Sequence, residues 1–243
     1  MTTTPDQAAT TPTRSDSTRR LVVVNAGTSN PSSSRLLADR IAGKTADQLS
    51  AHGVHPAVDV IDLGPLAGEI AHAIVSGYPQ GDLLDAVQLL VNADGVIVTT
   101  PVYKAGISGL LKAFIDILDN DLLIATPVIL AATAGSARHA LVIDDQLRPL
   151  FAFMRSLAAP TSVFAAPEDW SDPALTRRIG RAATELAAMI NSSLRTSIAG
   201  QGWDRYQHNW GGSARPDTTT PGMDFNTDLM KLAAGGTTAL ATS

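Results

Sequence analysis

The stretch that decides the fold is VIVTTPVYKAGISGLLKAFID, which occupies residues 96–116. Val96-Ile97-Val98 is apolar throughout and predicts a buried strand, which ends at two threonines. A short loop with Pro, Tyr and Gly follows, and then a run of apolar residues at helical spacing. A strand that opens through such a loop into a helix is typical of the carboxyl edge of an open α/β sheet, where ligands bind.

The same alternation of apolar strand and amphipathic helix runs along most of the chain. Strands are predicted at Leu21–Val24, Val58–Asp62, Gly95–Thr99, Pro127–Ala132 and Ser162–Ala165. Helices are predicted at about Arg35–Ala51, Asp82–Asn92, Ile107–Leu118 and Pro173–Leu194, with an irregular segment at Leu63–Gln80. A longer helical region is predicted at about Ala137–Ala158, with a break or kink at Pro149. We therefore expect an α/β fold, a three-layer, doubly wound, five-stranded parallel sheet with the flavodoxin-like order 2-1-3-4-5. Its ligand edge would lie between strands one and three.

Composition narrows the classes of function. The 243 residues are 44% hydrophobic and 17% charged, which is sufficient for one sizeable core. A formal net charge of −5 argues against a general nucleic-acid binder. The absence of cysteine excludes disulfides, thiolate metal sites and thiol nucleophiles. No apolar signal segment and no membrane-length apolar run is visible, so we expect a cytoplasmic protein.

The two ends of the chain differ from its centre. Residues 1–18, rich in threonine, predict a disordered leader, and residues 19–200 predict the flavodoxin-like domain. Residues 201–243 predict a C-terminal extension. The tryptophans of Trp203–Trp210 are costly to leave exposed, so this part is expected to dock on the core or on a neighbouring subunit, with the end beyond Lys231 disordered. A loosely attached tail is the alternative.

The loop between the first strand and the first helix is rich in hydroxyl groups. Residues 26–35 are AGTSNPSSSR, in which Thr28, Ser29, Ser32 and Ser34 precede Arg35. A phosphate monoester is bound by hydroxyl and backbone N–H donors at a helix N-terminus, together with a cation. One serine would be enough to cap the helix, which is the simpler interpretation. The excess of hydroxyls favours a terminal phosphate, and the chain lacks the glycine-rich fingerprints of dinucleotide and nucleoside triphosphate sites.

The strand exits together resemble those of the NAD(P)H-dependent FMN reductases, which have a flavodoxin-like fold. Gly27-Thr28 with Pro31-Ser32-Ser33-Ser34 is similar to the family's phosphate loop, and Pro101-Val102-Tyr103-Lys104 to its ring-binding loop. Ala132-Thr133-Ala134-Gly135 stands where the family usually has Thr-Gly-Gly. The likeness continues at Ser108–Lys112, His139 and Asp144–Pro149. The branch that the chain resembles supplies reduced FMN to sulfonate monooxygenases and related partners.

The resemblance implies an NAD(P)H:FMN oxidoreductase with FMN as cofactor and NADPH or NADH as co-substrate. No side chain would be catalytic, because the hydride passes between two bound cofactors, and no metal is implied. The resemblance also implies a homodimer or homotetramer whose second subunit helps to close the flavin site, and a partner monooxygenase. The candidate residues for the FMN phosphate are Thr28, Ser29, Ser32, Ser34 and Arg35. Those for the ring are Pro101, Val102, Tyr103 and Lys104, with backbone donors from Thr133, Ala134 and Gly135 to its polar edge.

Two positions depart from the family pattern. Ile107 stands where the two-component reductases commonly have Tyr or His, together with an inserted residue and a π-bulge, so we expect a regular α-helix here. Ala134 replaces a glycine. Two alternatives remain open, because they would use the same loops: a quinone or azo-dye reductase, and a non-enzymatic FMN electron carrier. The chain is longer and less acidic than a minimal carrier requires.

Overall fold

A twisted β-sheet with helices on both faces forms the centre of the computed structural model, which describes residues 18–202. The predicted leader up to residue 17 and the extension from residue 203 lie outside the described residues. The sheet has the order β2-β1-β3-β5, with β6 and β7 both parallel to β5 and β4 antiparallel to β3. The strands are β1 Thr18–Asn25, β2 His55–Asp62, β3 Gly95–Tyr103, β4 Gly106–Ile107, β5 Pro127–Thr133, β6 Leu157–Ala158 and β7 Val163–Ala165.

The predicted α/β, doubly wound architecture is confirmed, but the strand count is wrong. The described sheet has seven strands where five were predicted, and β5 pairs with both β6 and β7 where the predicted order 2-1-3-4-5 ends in a single strand. The additional strands are the short β4 and β6. β4 arises because the chain after β3 turns back at Lys104-Ala105 and pairs Tyr103 with Gly106 and Val102 with Ile107.

The described residues contain seven α-helices, of which the last two follow the last strand. They are α1 Ser33–Ala51, α2 Ala67–Ser76, α3 Gly81–Val91, α4 Gly109–Asp116, α5 Arg148–Phe153, α6 Pro173–Asn191 and α7 Leu194–Gly202. The prediction that Leu63–Gln80 is irregular is wrong, because it contains α2. Ile70 and Ala73, three residues apart, bury one face of that helix before it ends at Gly77 with φ of 80°.

The helical region predicted over Ala137–Ala158, with a break or kink at Pro149, is more divided than expected. This segment forms a 3₁₀ turn at Ala137–His139, a π-helical turn at Ile143–Leu147, then α5 and β6. Pro149 lies in the first turn of α5. Because proline has no N–H, it cannot complete an α-helical hydrogen bond to the preceding turn, which favours the break at this point.

The helix predicted from Ile107 begins later than expected. Ile107 belongs to β4, and Ser108 caps α4 by accepting a hydrogen bond from the Leu110 N–H at 3.3 Å. The segment Gly109–Asp116 is α-helical throughout, as predicted for this helix. The apolar spacing had placed Ile107 on the helix because the strand residue and the first helical turn face the same core.

The strand side chains alternate between two cores, one on each face of the sheet. Val22 and Val24 pack with α2–α5 on one face, where Phe114 is fully buried. Leu21 and Val23 pack with α1 and α6 on the other. Packing on both faces holds the carboxyl ends of the strands as a rigid edge. Among residues 18–202, no helix has the length and apolarity needed to cross a membrane.

Candidate functional site

Asn25, the last residue of β1, connects three strand exits. It is buried, and its neighbours in the sheet register are Asp62 on β2 and Thr99 on β3. Its Nδ2 donates to Asp62 Oδ1 at 2.8 Å, while its Oδ1 accepts from the Gly27 N–H at 3.1 Å and from Thr99 Oγ1 at 3.3 Å. Sequence analysis missed this residue, although a polar side chain that closes an apolar strand was a usable signal. Asn25 therefore sets the start of the loop that follows.

Gly27 allows that loop to fold tightly. A Cβ at this position would lie 2.2 Å from Ser32 Oγ and 3.0 Å from Ser34 Cβ. Both distances are shorter than van der Waals contact, so a larger residue would push the loop away from the start of α1. The glycine is needed here because of close approach.

Several hydrogen-bond donors lie at the N-terminus of α1. Ser32 is the N-cap, and its Oγ accepts from the Arg35 N–H at 3.2 Å. The hydroxyls of Thr28, Ser29 and Ser33 are exposed and make no hydrogen bond to another residue of the described part of the chain. An α-helix leaves its first N–H groups without intrahelical partners, so hydroxyls and amides are available together. These donors are suited to binding a group with several negatively charged oxygens, such as a phosphate.

Ser34 faces inward and joins two loops. It is 1% exposed, and its Oγ lies 2.7 Å from Oγ1 of Thr133, the last residue of β5. Its hydroxyl is thereby used within the protein, which leaves its backbone N–H as the group it can present to a ligand. The predicted phosphate loop and the predicted polar-edge loop are thus held by one buried hydrogen bond.

Arg35 lies between two carboxylates. Its Nε is 2.8 Å from Asp39 Oδ1, and its Nη1 is 2.5 Å from Asp62 Oδ2. The hydrogen bond to Asp39 raises the pKa of the guanidinium, partial burial lowers it, and the hydrogen bond and charge of Asp62 raise it again. The net shift is upward, so the group stays cationic. Its charge is already shared by Asp39 and Asp62.

The second strand exit is a β-hairpin. Lys104 and Ala105 form its two-residue turn with φ of 52° and 63°, which is the type I′ pattern. Thr100 Oγ1 accepts from the Ser108 N–H at 3.0 Å and holds the returning strand. Pro101 and Val102 are half-buried, whereas Tyr103 is 51% exposed and Lys104 is exposed. The hairpin therefore presents an apolar wall with an accessible aromatic ring.

The third strand exit follows β5. The Ala134 N–H donates to Ala165 O at 3.1 Å, so this amide is used in the sheet. Gly135 is exposed, and Ser136 Oγ is buried with no hydrogen-bond partner among residues 18–202. Ser136 is a further residue that sequence analysis omitted. His139 lies in the 3₁₀ turn beyond, where its Nε2 accepts from Arg138 Nε at 3.2 Å.

The three exits lie at one edge because their strands are neighbours in the sheet. Asn25 pairs with Thr99 and Pro101 pairs with Thr133, so the loops emerge side by side. The donors at the start of α1 fit a phosphate ester, the hairpin fits one face of a flat ring, and the unpaired Ser136 hydroxyl fits a polar ring edge. The residues present therefore match the requirements of FMN.

Comparisons with known proteins agree with this geometry. Residues 19–171 match the protein family described as NADPH-dependent FMN reductase. The NADH-dependent FMN reductase SfnE of Pseudomonas putida is 39% identical over 172 residues, which cover 69% of this chain and 88% of SfnE. An FMN reductase (NADPH) of Pseudomonas aeruginosa is 33% identical over 169 residues, covering 70% of this chain and 88% of that protein.

A solved structure shows the same arrangement of elements. The X-ray structure of an oxidoreductase from Corynebacterium diphtheriae superposes with a TM-score of 0.71 at 44% identity, and the match covers 73% of this chain and 99% of that one. The family match extends over more than half of the chain. The chain therefore belongs to the NADPH-dependent FMN reductase family and is an oxidoreductase that reduces FMN with a nicotinamide nucleotide.

Proposed function

We propose that the loop at residues 28–35 binds the phosphate of FMN. The observation that carries this assignment is the set of exposed hydroxyls at Thr28, Ser29 and Ser33 beside the free N–H groups of α1. A phosphate dianion accepts from several such donors at once and gains from the positive end of the helix dipole. Ser32 shapes the loop as the N-cap, and Ser34 contributes its backbone N–H.

Arg35 completes the phosphate site from the first turn of α1. Its guanidinium is about one third exposed and forms ion pairs with two carboxylates. Because their negative charges partly offset its positive charge, its attraction for the phosphate is reduced. The phosphate would therefore be bound jointly by the neutral donors of the loop and by this cation.

The other two exits would hold the isoalloxazine ring. Pro101 and Val102 supply an apolar wall, and Tyr103 and Lys104 stand at its outer rim. At the polar edge of the ring, the donors are the Gly135 N–H and the Ser136 hydroxyl, next to Thr133 and Ala134. Bound FMN supplies the chemistry, which is acceptance of a hydride from the nicotinamide. The residues of this chain orient the ring, shield one face from water and place donors where negative charge develops.

The product of this site is reduced FMN, and its proposed consumer is a flavin-dependent monooxygenase. The relative SfnE is named NADH-dependent and the Pseudomonas aeruginosa relative NADPH-dependent, so both donors belong in the assay. A homodimer or homotetramer that closes the site is supported by large apolar side chains left exposed, Leu141 at 67% and Phe153 at 63%. We place the enzyme in the cytoplasm, where reduced nicotinamide nucleotides are regenerated.

The phosphate assignment is tested with two flavins that differ only in the phosphate. FMN and riboflavin are titrated by flavin fluorescence into wild type, a Thr28→Val/Ser33→Ala variant and Arg35→Ala. The double variant should weaken FMN binding by about tenfold or more while riboflavin binding is unchanged, because charge-assisted hydrogen bonds are lost. Lys44→Ala is the control, since it removes an exposed cation of the same helix, which is paired with Asp47.

Equal losses for FMN and riboflavin would show that these residues do not contact the phosphate. Oxidation of NADH and NADPH is then followed with FMN, FAD, riboflavin and a quinone. A preference for FMN supports the proposed activity, whereas turnover with the quinone alone would identify a quinone reductase. A protein that holds flavin but does not oxidise either nucleotide would be an electron carrier.

A further inference from the structure

Gln146 is the one side chain of the π-helical turn Ile143–Leu147 that reaches the β3–β4 hairpin by hydrogen bonds. Its Nε2 donates to Ala105 O at 3.3 Å, and its Oε1 accepts from the Ile107 N–H at 3.0 Å. The residue lies 39 positions beyond Ile107 in the sequence, so this contact is tertiary. It ties the turn of the ring-binding loop to a segment that contributes no other group to the site described above.

The hydrogen bonds go to backbone groups that the hairpin itself leaves open. Tyr103 and Gly106 are the pair next to the turn, and Val102 and Ile107 are the next pair. In an antiparallel ladder, hydrogen-bonded pairs alternate with pairs whose N–H and C=O groups point outward. The Ile107 N–H therefore points away from β3, and Gln146 supplies its acceptor.

The turn needs this support because of its sequence. Type I′ turns require positive φ at both central residues and are favoured by Asn-Gly. Here these positions are Lys104 and Ala105, which carry a Cβ that disfavours the left-handed region. Without Gln146, the hairpin would lose two hydrogen bonds that help to offset the cost of these positive φ values.

The close approach of Gln146 depends on its surroundings. A Cβ at Gly106 would lie 3.2 Å from Gln146 Oε1, so the glycine leaves room for the amide. Ile143 and Leu147 are buried at the two ends of the π turn and anchor it to the core. An ion pair between Asp144 and Arg148 at 3.0 Å spans the same turn on its outer side. Gln146 is thus an exposed group on a fixed support.

We propose that Gln146 is a positioning residue for the flavin ring, acting through the conformation of the Lys104-Ala105 turn. This inference rests on the proposed function, because the hairpin matters only if it lines the ring. Gln146 does not contact the phosphate loop, so its effect must fall on the part that FMN and riboflavin share. It presents Tyr103 and Lys104 to the ring and reduces the entropy that this loop would lose when a flavin binds.

The test compares Gln146→Ala with Asp145→Ala, an exposed neighbour on the same turn. Dissociation constants for FMN and riboflavin are measured by flavin fluorescence. Gln146→Ala should weaken both flavins to the same degree, by about fivefold to twentyfold, the range that one or two hydrogen bonds provide. Gln146→Glu keeps an acceptor for Ile107 but cannot donate to Ala105, so its loss should be intermediate. Asp145→Ala should leave both constants within about twofold.

A rescue experiment separates positioning from general stability. Ala105→Gly removes the Cβ at the turn, so the double variant Gln146→Ala/Ala105→Gly should recover most of the lost affinity. Unchanged flavin affinity in Gln146→Ala, or a loss that Ala105→Gly does not recover, would overturn the inference. Failure of the proposed function looks different, because wild type itself would then bind neither FMN nor riboflavin.

Discussion

Two of the three loops that build the candidate site are held in different ways. The phosphate loop is fixed from within by buried groups: Asn25 holds Gly27, and Ser34 bonds to Thr133. The turn of the ring-binding hairpin is held from outside by the exposed Gln146, and it has two residues at positive φ, although a buried Thr100–Ser108 hydrogen bond holds the base of the hairpin. In the proposed site, the first loop would be a rigid anchor for the small, highly charged end of FMN, and the hairpin an adjustable wall for the larger ring. Breaking either support should therefore have a distinct effect.

The largest effect is expected from substitution of Gly27, where the phosphate loop is too tightly packed to accept a side chain. In Gly27→Ala the new Cβ would lie 2.2 Å from Ser32 Oγ, so the loop must move. We expect a stability loss of about 1–3 kcal/mol in urea unfolding and an FMN affinity lower by about tenfold or more. Gly43→Ala is the control, because a Cβ at this helical position meets nothing within 4 Å.

Gly43→Ala should raise stability by about 0.5–1 kcal/mol, since alanine is the better helix former. If both glycine variants bind FMN as wild type does, the tight packing of the phosphate loop has no role in binding. Circular dichroism of each variant confirms that the fold is kept.

The buried hydrogen bond between Ser34 and Thr133 should give the next largest effect. Ser34→Ala or Thr133→Val leaves the other hydroxyl buried without a partner, which costs about 1–3 kcal/mol in the free energy of unfolding. The double variant should cost less than the sum of the two, by about 1 kcal/mol, because both groups of one bond are removed.

Thr45→Val provides the matched control for this cycle. The Thr45 hydroxyl is also buried, but it donates to Ile41 O within α1 at 2.9 Å and shares no partner with Thr133. Its effect should add to that of Thr133→Val. Strict additivity for Ser34 and Thr133 as well would mean that the two loops are not coupled.

The smallest effect is expected from substitution of Asp62, one of the two carboxylates that are paired with Arg35. Asp62→Asn removes a negative charge next to the phosphate loop and releases the guanidinium from one partner. The pair is partly exposed, so FMN affinity should rise by only about twofold to fivefold, and the gain should shrink at high salt. Asp59→Asn, on the same strand but paired with Arg20 at 3.1 Å, should not change it. If Asp62→Asn instead lowered the affinity for FMN, the main role of Asp62 would be to hold Asn25, and through it the start of the phosphate loop.

Local patterns were sufficient to place most elements and the three loops. Apolar runs such as Leu21–Val24 predict buried strands, and the cluster of hydroxyls before Arg35 predicts an anion site at a helix start. The same patterns failed at Ile107, where the apolar spacing is compatible with a helix but the backbone forms a hairpin. Over Ala137–Ala158 they predicted the break at Pro149 but not the 3₁₀ turn, the π-helical turn and β6.

The sequence by itself determined the α/β class, the strand positions and the hydroxyl, aromatic and glycine content of the strand exits, because these depend on residues near one another in the chain. Only the tertiary structure decided which groups remain free for a ligand. Packing joins Ser34 to Thr133, 99 positions apart, and Gln146 to Ile107, 39 positions apart. Such contacts form when sheet and helices come together, and their cost in chain entropy is offset only by the completed core. They are therefore set by the fold as a whole.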